Sequence, residues 1–274
     1  MKRPSSRRVP DLPSNQGDVD KFNFLIPGVQ KAGTTALHWF LSGHKQIFMP
    51  PSKELHFFNR ESDIDWSNPN YSWYHQHLDK KDGVMAYGEA TPIYMFWPFA
   101  IERIRNYNEQ MRFIVIFRDP IERAYSHWKM EFARGAESLD FSTAIRQGRN
   151  RLLTNDALQS GAYSAFSYIE RGLYAPQVRR LFENYPRHQT FFTTTDHLSG
   201  NARALLDDLC QFLKVETFSV YPDDEIVRPD VPSLDVGQMD SVDRNYLEEI
   251  FQPDIAETER LTGLDLSSWA RRGQ

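Results

Sequence analysis

One segment near the start of the chain constrains the fold more than any other. Phe22-Asn23-Phe24-Leu25-Ile26 is a short apolar run ending in Pro27-Gly28, as expected of a buried strand. After the loop Val29–Gly33, the stretch Thr34–Ser42 carries Leu37, Phe40 and Leu41 at helical spacing. Strand, glycine-bounded loop and helix make a βα unit whose loop opens to ligand. The rhythm then repeats. Strands are predicted at Val84–Tyr87, Phe113–Phe117 and Gln189–Thr193, and helices near 96–107, 119–134, 174–185, 201–213 and 241–262. Such alternation predicts an α/β fold, with a central parallel sheet flanked by helices. Two segments interrupt it: the polar and aromatic stretch 59–80, and a helical insertion at 135–165. Residues 216–240 read as a long acidic loop. Without a repeat or an interdomain linker, residues 21–274 are expected to form one domain. Residues 1–20, rich in Pro, Ser and Arg, are expected to be a flexible lead-in.

Composition excludes several functions. Aromatic residues make up 14% of the chain, ample for a core, so global disorder is ruled out. The net charge of -5 gives no overall positive field for nucleic acid or an anionic membrane. No run of apolar residues is long enough to span a bilayer, and the basic N-terminus lacks the apolar stretch of a signal peptide. Cys210 is the single cysteine, so no internal disulfide or multi-cysteine metal site can form. A soluble, cytoplasmic protein is expected.

The loop Gly28-Val29-Gln30-Lys31-Ala32-Gly33-Thr34-Thr35 has the makings of a phosphate site. Backbone N–H groups at a helix N-terminus attract an anion. Glycines permit close approach, Lys31 adds a cation, and Thr34 and Thr35 add hydroxyl donors. A nucleoside-triphosphate loop has the form G-x-x-x-x-G-K-[ST]. Gly28 and Gly33 have that spacing, but Thr34 stands where the lysine belongs and the lysine sits inside the loop. The displacement argues against ordinary ATP or GTP chemistry.

From Gly28 to Leu37 the loop resembles the 5′-phosphosulfate loop of sulfotransferases that use 3′-phosphoadenosine 5′-phosphosulfate (PAPS), leaving PAP. A second resemblance is the strand Phe113–Phe117 followed by Arg118-Asp119-Pro120, Arg123 and Ser126. In that family an Arg and a Ser so placed hold the 3′-phosphate, which implies those roles for Arg118 and Ser126. Lys53-Glu54-Leu55-His56-Phe57-Phe58-Asn59 is similar to the segment that carries the catalytic base in the heparan-sulfate-type branch, and this points to Glu54. Arg171-Gly172-Leu173-Tyr174 is similar to an Arg-Ser-Leu-Tyr segment of the family and places Tyr174 at the cofactor. The cofactor set implied is Lys31, Ala32, Gly33, Thr34, Thr35, Arg118, Ser126, Tyr174 and Arg228, the last standing in the acidic loop. Lys31 would also stabilise charge on the departing phosphate.

The chain departs from the family in Gly88-Glu89-Ala90-Thr91-Pro92, where Ala90 replaces a lysine. That second cation is absent or supplied elsewhere, Lys53 being the nearby candidate. His56 competes with Glu54 as base, against the reading that its ring packs between Leu55 and Phe57. The chemistry needs no metal, and no His, Asp or Glu cluster has ligand spacing; His75 and His77 read as solvated or substrate-facing. Trp66, Tyr71, Trp73, Tyr74, Tyr94, Phe96 and Trp97, with the carboxylates of 59–80, suggest a small neutral or cationic metabolite as acceptor, of the kind tailored in natural-product biosynthesis. A carbohydrate is the alternative. A P-loop small-molecule kinase or a non-catalytic nucleotide-binding module is the further alternative, opposed by Lys31 and Glu54 respectively.

Overall fold

A computed structural model describes residues 21–154, 156–222 and 237–269. Its strands are β1 (Phe24–Gly28), β2 (Ile47–Phe48), β3 (Ala86–Glu89), β4 (Arg112–Phe117) and β5 (Thr190–Thr194). The helices are α1 (Thr34–Ser42), α2 (Ser72–His75), α3 (Ala100–Tyr107), α4 (Pro120–Ala133) and α5 (Phe141–Arg146). They continue as α6 (Ala162–Ala165), α7 (Tyr174–Asn184), α8 (Thr195–Gly200), α9 (Ala202–Leu213) and α10 (Ser241–Thr262).

All strand pairs are parallel, in the order β2-β3-β1-β4-β5. The α/β fold read from the sequence is therefore observed. Every residue from Phe113 to Phe117 is fully buried, as befits a strand covered on both faces. The chain passes from β3 across β1 to β4, so the carboxyl ends of β1 and β4 flank a topological switch point. In open parallel sheets that is where ligands sit.

Two local features fix β1 against its neighbours. Pro27 cannot donate to a ladder, and the pairing of β1 with β4 shifts register between Leu25 and Gly28, where Pro27 stands. On the other side Gly88 lies under the ring of Phe24: a Cβ added there would be 2.1 Å from Phe24 Cζ.

The C-terminal helix braces the half of the sheet that carries the site. Leu173 precedes α7 and offers no capping side chain. Asp254 of α10 substitutes, accepting from the backbone N–H of Tyr174 at 2.7 Å and of Ala175 at 3.1 Å. Among the described residues no helix is long and apolar enough to cross a membrane.

The Gly88–Phe24 contact generates a stability prediction. Gly88→Ala should lower unfolding free energy by about 3 kcal/mol, the upper part of the overpacking range. Phe24→Leu in the same chain should recover part of the loss. Urea denaturation of the two variants measures both; an unchanged midpoint for Gly88→Ala would contradict the packing described.

Candidate active site

The loop after β1 is held open. Lys31 and Gly33 both adopt left-handed backbone, with φ of 72 and 103. Gly33 occupies the cap position of α1 without a side chain that could cap it. Among the described residues, the N–H groups of Gly33, Thr34 and Thr35 find no acceptor. Thr34 is buried and Thr35 half-buried at this end. Ala32 is fully buried and turns its carbonyl to the hydroxyl of Thr195 at 2.7 Å, while the same hydroxyl reaches Phe117 O at 3.1 Å. Thr195, at the start of α8, thus clamps the loop to the end of β4. Nothing in its sequence context marked it.

The second strand–turn–helix is built differently. Asp119 caps α4, accepting from Ile121 N at 2.9 Å and Glu122 N at 3.4 Å, so this helix end is closed by its own carboxylate. An anion here must be held by side chains. Arg118 and Ser126 are both half-buried, and Arg118 Nη1 donates to Lys31 O at 3.1 Å, tying the two loops together. Tyr174 stands one layer behind. Its side chain is fully buried and its hydroxyl donates to Arg118 O at 2.8 Å. Tyr174, expected at the cofactor, meets the site in this structure through Arg118. Arg228 lies outside the described residues.

Positive charge accumulates around the loop with little to offset it. Lys31 Nζ has the sulfur of Met130 at 3.6 Å and no paired carboxylate among the described residues. Burial lowers its pKa, and the charges of Arg134 and Arg118 lower it further. Arg123 and Arg171 are 0% and 1% exposed. Arg123 Nε and Nη1, Arg171 Nε and both ring nitrogens of His127 are buried without hydrogen-bond partners. Glu131 is the carboxylate within this group, at 3.4 Å from Arg134 and 3.8 Å from His127. Burial raises its pKa against the pull of Arg134. Unpartnered buried donors and excess positive charge fit a polyanionic group such as PAPS.

Opposite the loop, the segment 53–59 is pinned by its aromatic side chains. Phe57 and Phe58 are buried. Their backbone N–H groups donate to the hydroxyl of Tyr94 at 2.8 and 3.4 Å, and Phe57 stacks on Tyr74 with centroids 4.8 Å apart. Leu55 also turns inward, whereas Glu54 and His56 face out with left-handed φ of 66 and 53. Side chains other than glycine rarely accept such angles, so anchors on either side impose them. His56 does not pack between Leu55 and Phe57: its side chain is 44% exposed and its Nε2 lies 3.4 Å from Glu54 Oε2. Its Nδ1 lies 3.2 Å from Asn59 Oδ1. The other oxygen of Glu54 is bonded by Lys53 Nζ. Burial raises the Glu54 pKa, but the hydrogen bond from His56 and the charge and hydrogen bond of Lys53 prevail and bring it to about 2.

Much of the aromatic wall expected at the acceptor is core. Tyr74, Tyr94, Phe96 and Trp97 are all buried, whereas Trp73 is exposed, with Arg60 over its ring at 4.4 Å. Three of the four carboxylates of 59–80 are engaged as well: Glu61 with Arg103 at 2.8 Å, Asp65 with Ser67 and Asp79 with Lys81. His75 Nε2 bonds Tyr107 Oη at 3.1 Å, and His77 packs on Trp73. Among the described residues no group of three or more His, Cys, Asp or Glu could hold a metal.

A family model described as the sulfotransferase domain matches residues 22–231. The solved structure of a sulfotransferase from Alicyclobacillus acidocaldarius superposes with a TM-score of 0.75 at 29% identity, covering 92% of this chain and 99% of that one. Human heparan sulfate glucosamine 3-O-sulfotransferase 3B1 is 27% identical over 216 residues, which are 76% of this chain and 52% of that protein. Human bifunctional heparan sulfate N-deacetylase/N-sulfotransferase 2 is 26% identical over 230 residues, 78% of this chain and 24% of that protein. The chain spans about half the length, or less, of these curated relatives.

Behind the site, Glu89 generates a pH prediction. It is 1% exposed and accepts from Thr91 Oγ1 at 2.8 Å and Tyr74 Oη at 3.3 Å. Burial raises its pKa from 4.5 to about 7 in spite of these bonds. The folded state then binds more protons than the unfolded state between those values, so stability falls as pH rises through them. The loss is on the order of 3 kcal/mol. Wild type should therefore lose stability relative to Glu89→Gln from pH 4.5 to about 7. Urea denaturation across that window tests it, and parallel curves would refute the assignment.

Proposed function

The chain belongs to the sulfotransferase domain family, and from that premise we propose that it transfers the sulfuryl group of PAPS to a hydroxyl or amine of an acceptor. The observation that carries the reading is the open end of α1, where uncapped N–H groups and an unpaired Lys31 stand beside Arg118 and Ser126.

PAPS would supply an activated sulfuryl group on a phosphate leaving group. Lys31, Ala32, Gly33, Thr34 and Thr35 would hold its 5′ end, and Arg118 and Ser126 its 3′-phosphate. Lys31 offers a full charge where negative charge grows as transfer proceeds, and partial burial strengthens that interaction. Tyr174 and Thr195 keep the two loops in register, which is the geometric part of catalysis.

Glu54 is ionised throughout the physiological range and accepts the acceptor's proton at a carboxylate oxygen. Its depressed pKa comes from the hydrogen bond of His56 and then from the charge and hydrogen bond of Lys53; an acceptor hydroxyl taking Lys53's place removes the second part and makes the carboxylate more basic. His56 Nε2, 3.4 Å from Glu54 Oε2, donates to that oxygen and orients the carboxylate, leaving Oε1 to take the acceptor's proton, while Asn59 Oδ1 lies 3.2 Å from its other nitrogen. His56 thereby acts with Glu54 rather than instead of it.

For the acceptor, a carbohydrate is the better supported of the two classes that the sequence leaves open. Two of the four carboxylates that recommended a cationic metabolite, Glu61 and Asp79, are ion-paired within the fold, and exposed Trp73 beside Arg60 offers a stacking face for a sugar ring. The heparan sulfate enzymes among the relatives point the same way. A cytoplasmic setting is consistent with a free, buried Cys210.

The reading is tested by nucleotide binding, two variants and the acceptor itself. PAP should raise the melting temperature far more than AMP, because Arg118 and Ser126 select a 3′-phosphate; equal shifts would remove that role. Lys31→Ala should lower turnover by about 10²–10³, as loss of a transition-state donor does, and should weaken PAP binding too. Glu54→Gln should lower turnover by roughly 10²–10⁴ while calorimetry finds PAP affinity unchanged. Sulfation of glucosamine-containing oligosaccharides against hydroxylated amines, followed by mass gain, decides the acceptor class. Activity that requires added magnesium would favour a kinase.

A further inference from the structure

Ala90 leaves the site without the second cation expected there, and Lys53 is bound to Glu54. A different cation is attached to the loop itself. Arg171 lies in a short 3-10 turn over Glu170–Gly172 and is 1% exposed. A buried charge ordinarily needs a carboxylate partner, yet among the described residues Arg171 has none. Its Nη2 donates to the carbonyl oxygens of Ser164 at 2.8 Å and Tyr163 at 3.5 Å, and its Nη1 to Oε1 of Gln30. The face of Phe96 lies 5.1 Å away.

Gln30 is half-buried in the phosphate loop, immediately before Lys31. A guanidinium is only a donor, so the amide must turn its oxygen to Arg171 and its nitrogen away. The side-chain orientation is set by chemistry here, not by choice. The Gln30 nitrogen finds no acceptor among the described residues. A charged donor on its oxygen also polarises the amide and strengthens its N–H groups.

We propose that Arg171 is a positioning residue: it fixes Gln30 so that both amide N–H groups of Gln30 face the sulfuryl oxygens, supplying as a neutral donor what Ala90 withholds. A neutral group suits the place. Arg118, Arg123 and Arg134 already depress the Lys31 pKa alongside burial, and another free cation beside the loop would depress it more. Burial lowers the pKa of Arg171 itself to about 9, so its charge persists at neutral pH. Glu131 is the first of the charges that raise it.

The proposal rests on the sulfuryl-transfer reading and can be separated from it. Affinities of PAP and PAPS are measured by calorimetry, and sulfate release from PAPS is followed with water as acceptor. Gln30→Met keeps length and volume but has no N–H group. It should leave PAP affinity within about twofold of wild type, while PAPS affinity and sulfate release each fall about tenfold or more, as for loss of a hydrogen bond to a charged group. Arg171→Met should show the same selective loss, with Arg171→Lys recovering part of it as a smaller donor to Gln30. The decisive variant combines Gln30→Met with Arg171→Lys. If Arg171 acts through Gln30, the double variant loses no more than Gln30→Met alone.

Additive losses would overturn the proposal. So would equal weakening of PAP and PAPS with a lowered melting temperature in Arg171→Lys, the mark of a purely structural residue. If wild type binds PAP and Gln30→Met keeps full PAPS affinity, the proposal falls and the donor assignment stands. If wild type binds neither nucleotide, both fall.

Discussion

The structure depends on keeping several positive charges close together at the ends of β1 and β4. Lys31, Arg118, Arg123 and Arg171 converge there, with Glu131 the carboxylate among them. Repulsion between such groups grows as water is excluded, so the backbone must hold them. Carbonyl oxygens do most of this: Lys31 O receives Arg118, Tyr168 O receives Arg123, and Ser164 O receives Arg171. Tyr174 and Thr195 then pin the backbone that carries those carbonyls. Neutral dipoles, unlike carboxylates, fix the cations without cancelling them. The field that remains is what an anion meets on entry.

The opposite wall obeys a different constraint, packing rather than charge. Tyr94 receives two consecutive backbone N–H groups and is itself fully buried. Phe57 and Phe58 are thereby locked inward, and Glu54 and His56 are left outward on a backbone they would not adopt alone. Aromatic residues in the sequence that looked like an acceptor surface are the foundation beneath Glu54 and His56.

How much was legible follows from where each signal resides. Helix α1 has the bounds its apolar spacing implies, Thr34–Ser42, because propensity, loop glycine and burial agree there. Strand β2 escaped notice because two residues, Ile47 and Phe48, carry no period. Strand β1 runs past Pro27 because a register shift accommodates the proline, which no local pattern announces. Lys31, Glu54 and Arg118 could be singled out because each sits in a motif whose chemistry is local. Tyr174 could be singled out by its motif too, but only the fold shows that its ring is buried and that its hydroxyl bonds Arg118 O. Arg171 was visible in that same motif, but its partner Gln30 is 141 residues away, and only the fold brings the two together.

Ala90 shows how a lost cation can be part of a consistent site. It follows directly on β3 at 1% exposure, and its carbonyl accepts from Glu54 N at 3.1 Å. A lysine confined to that depth without a carboxylate would pay a desolvation penalty of several kcal/mol, and Glu89 next to it already holds its proton up to about 7. With alanine, the backbone of segment 53–59 can lie directly on the strand end. The ammonium that remains near Glu54 is that of Lys53, whose side chain is 16% exposed against 41% for Glu54. The positive charge held against Glu54 is thus carried by a side chain of the same segment rather than by the strand end.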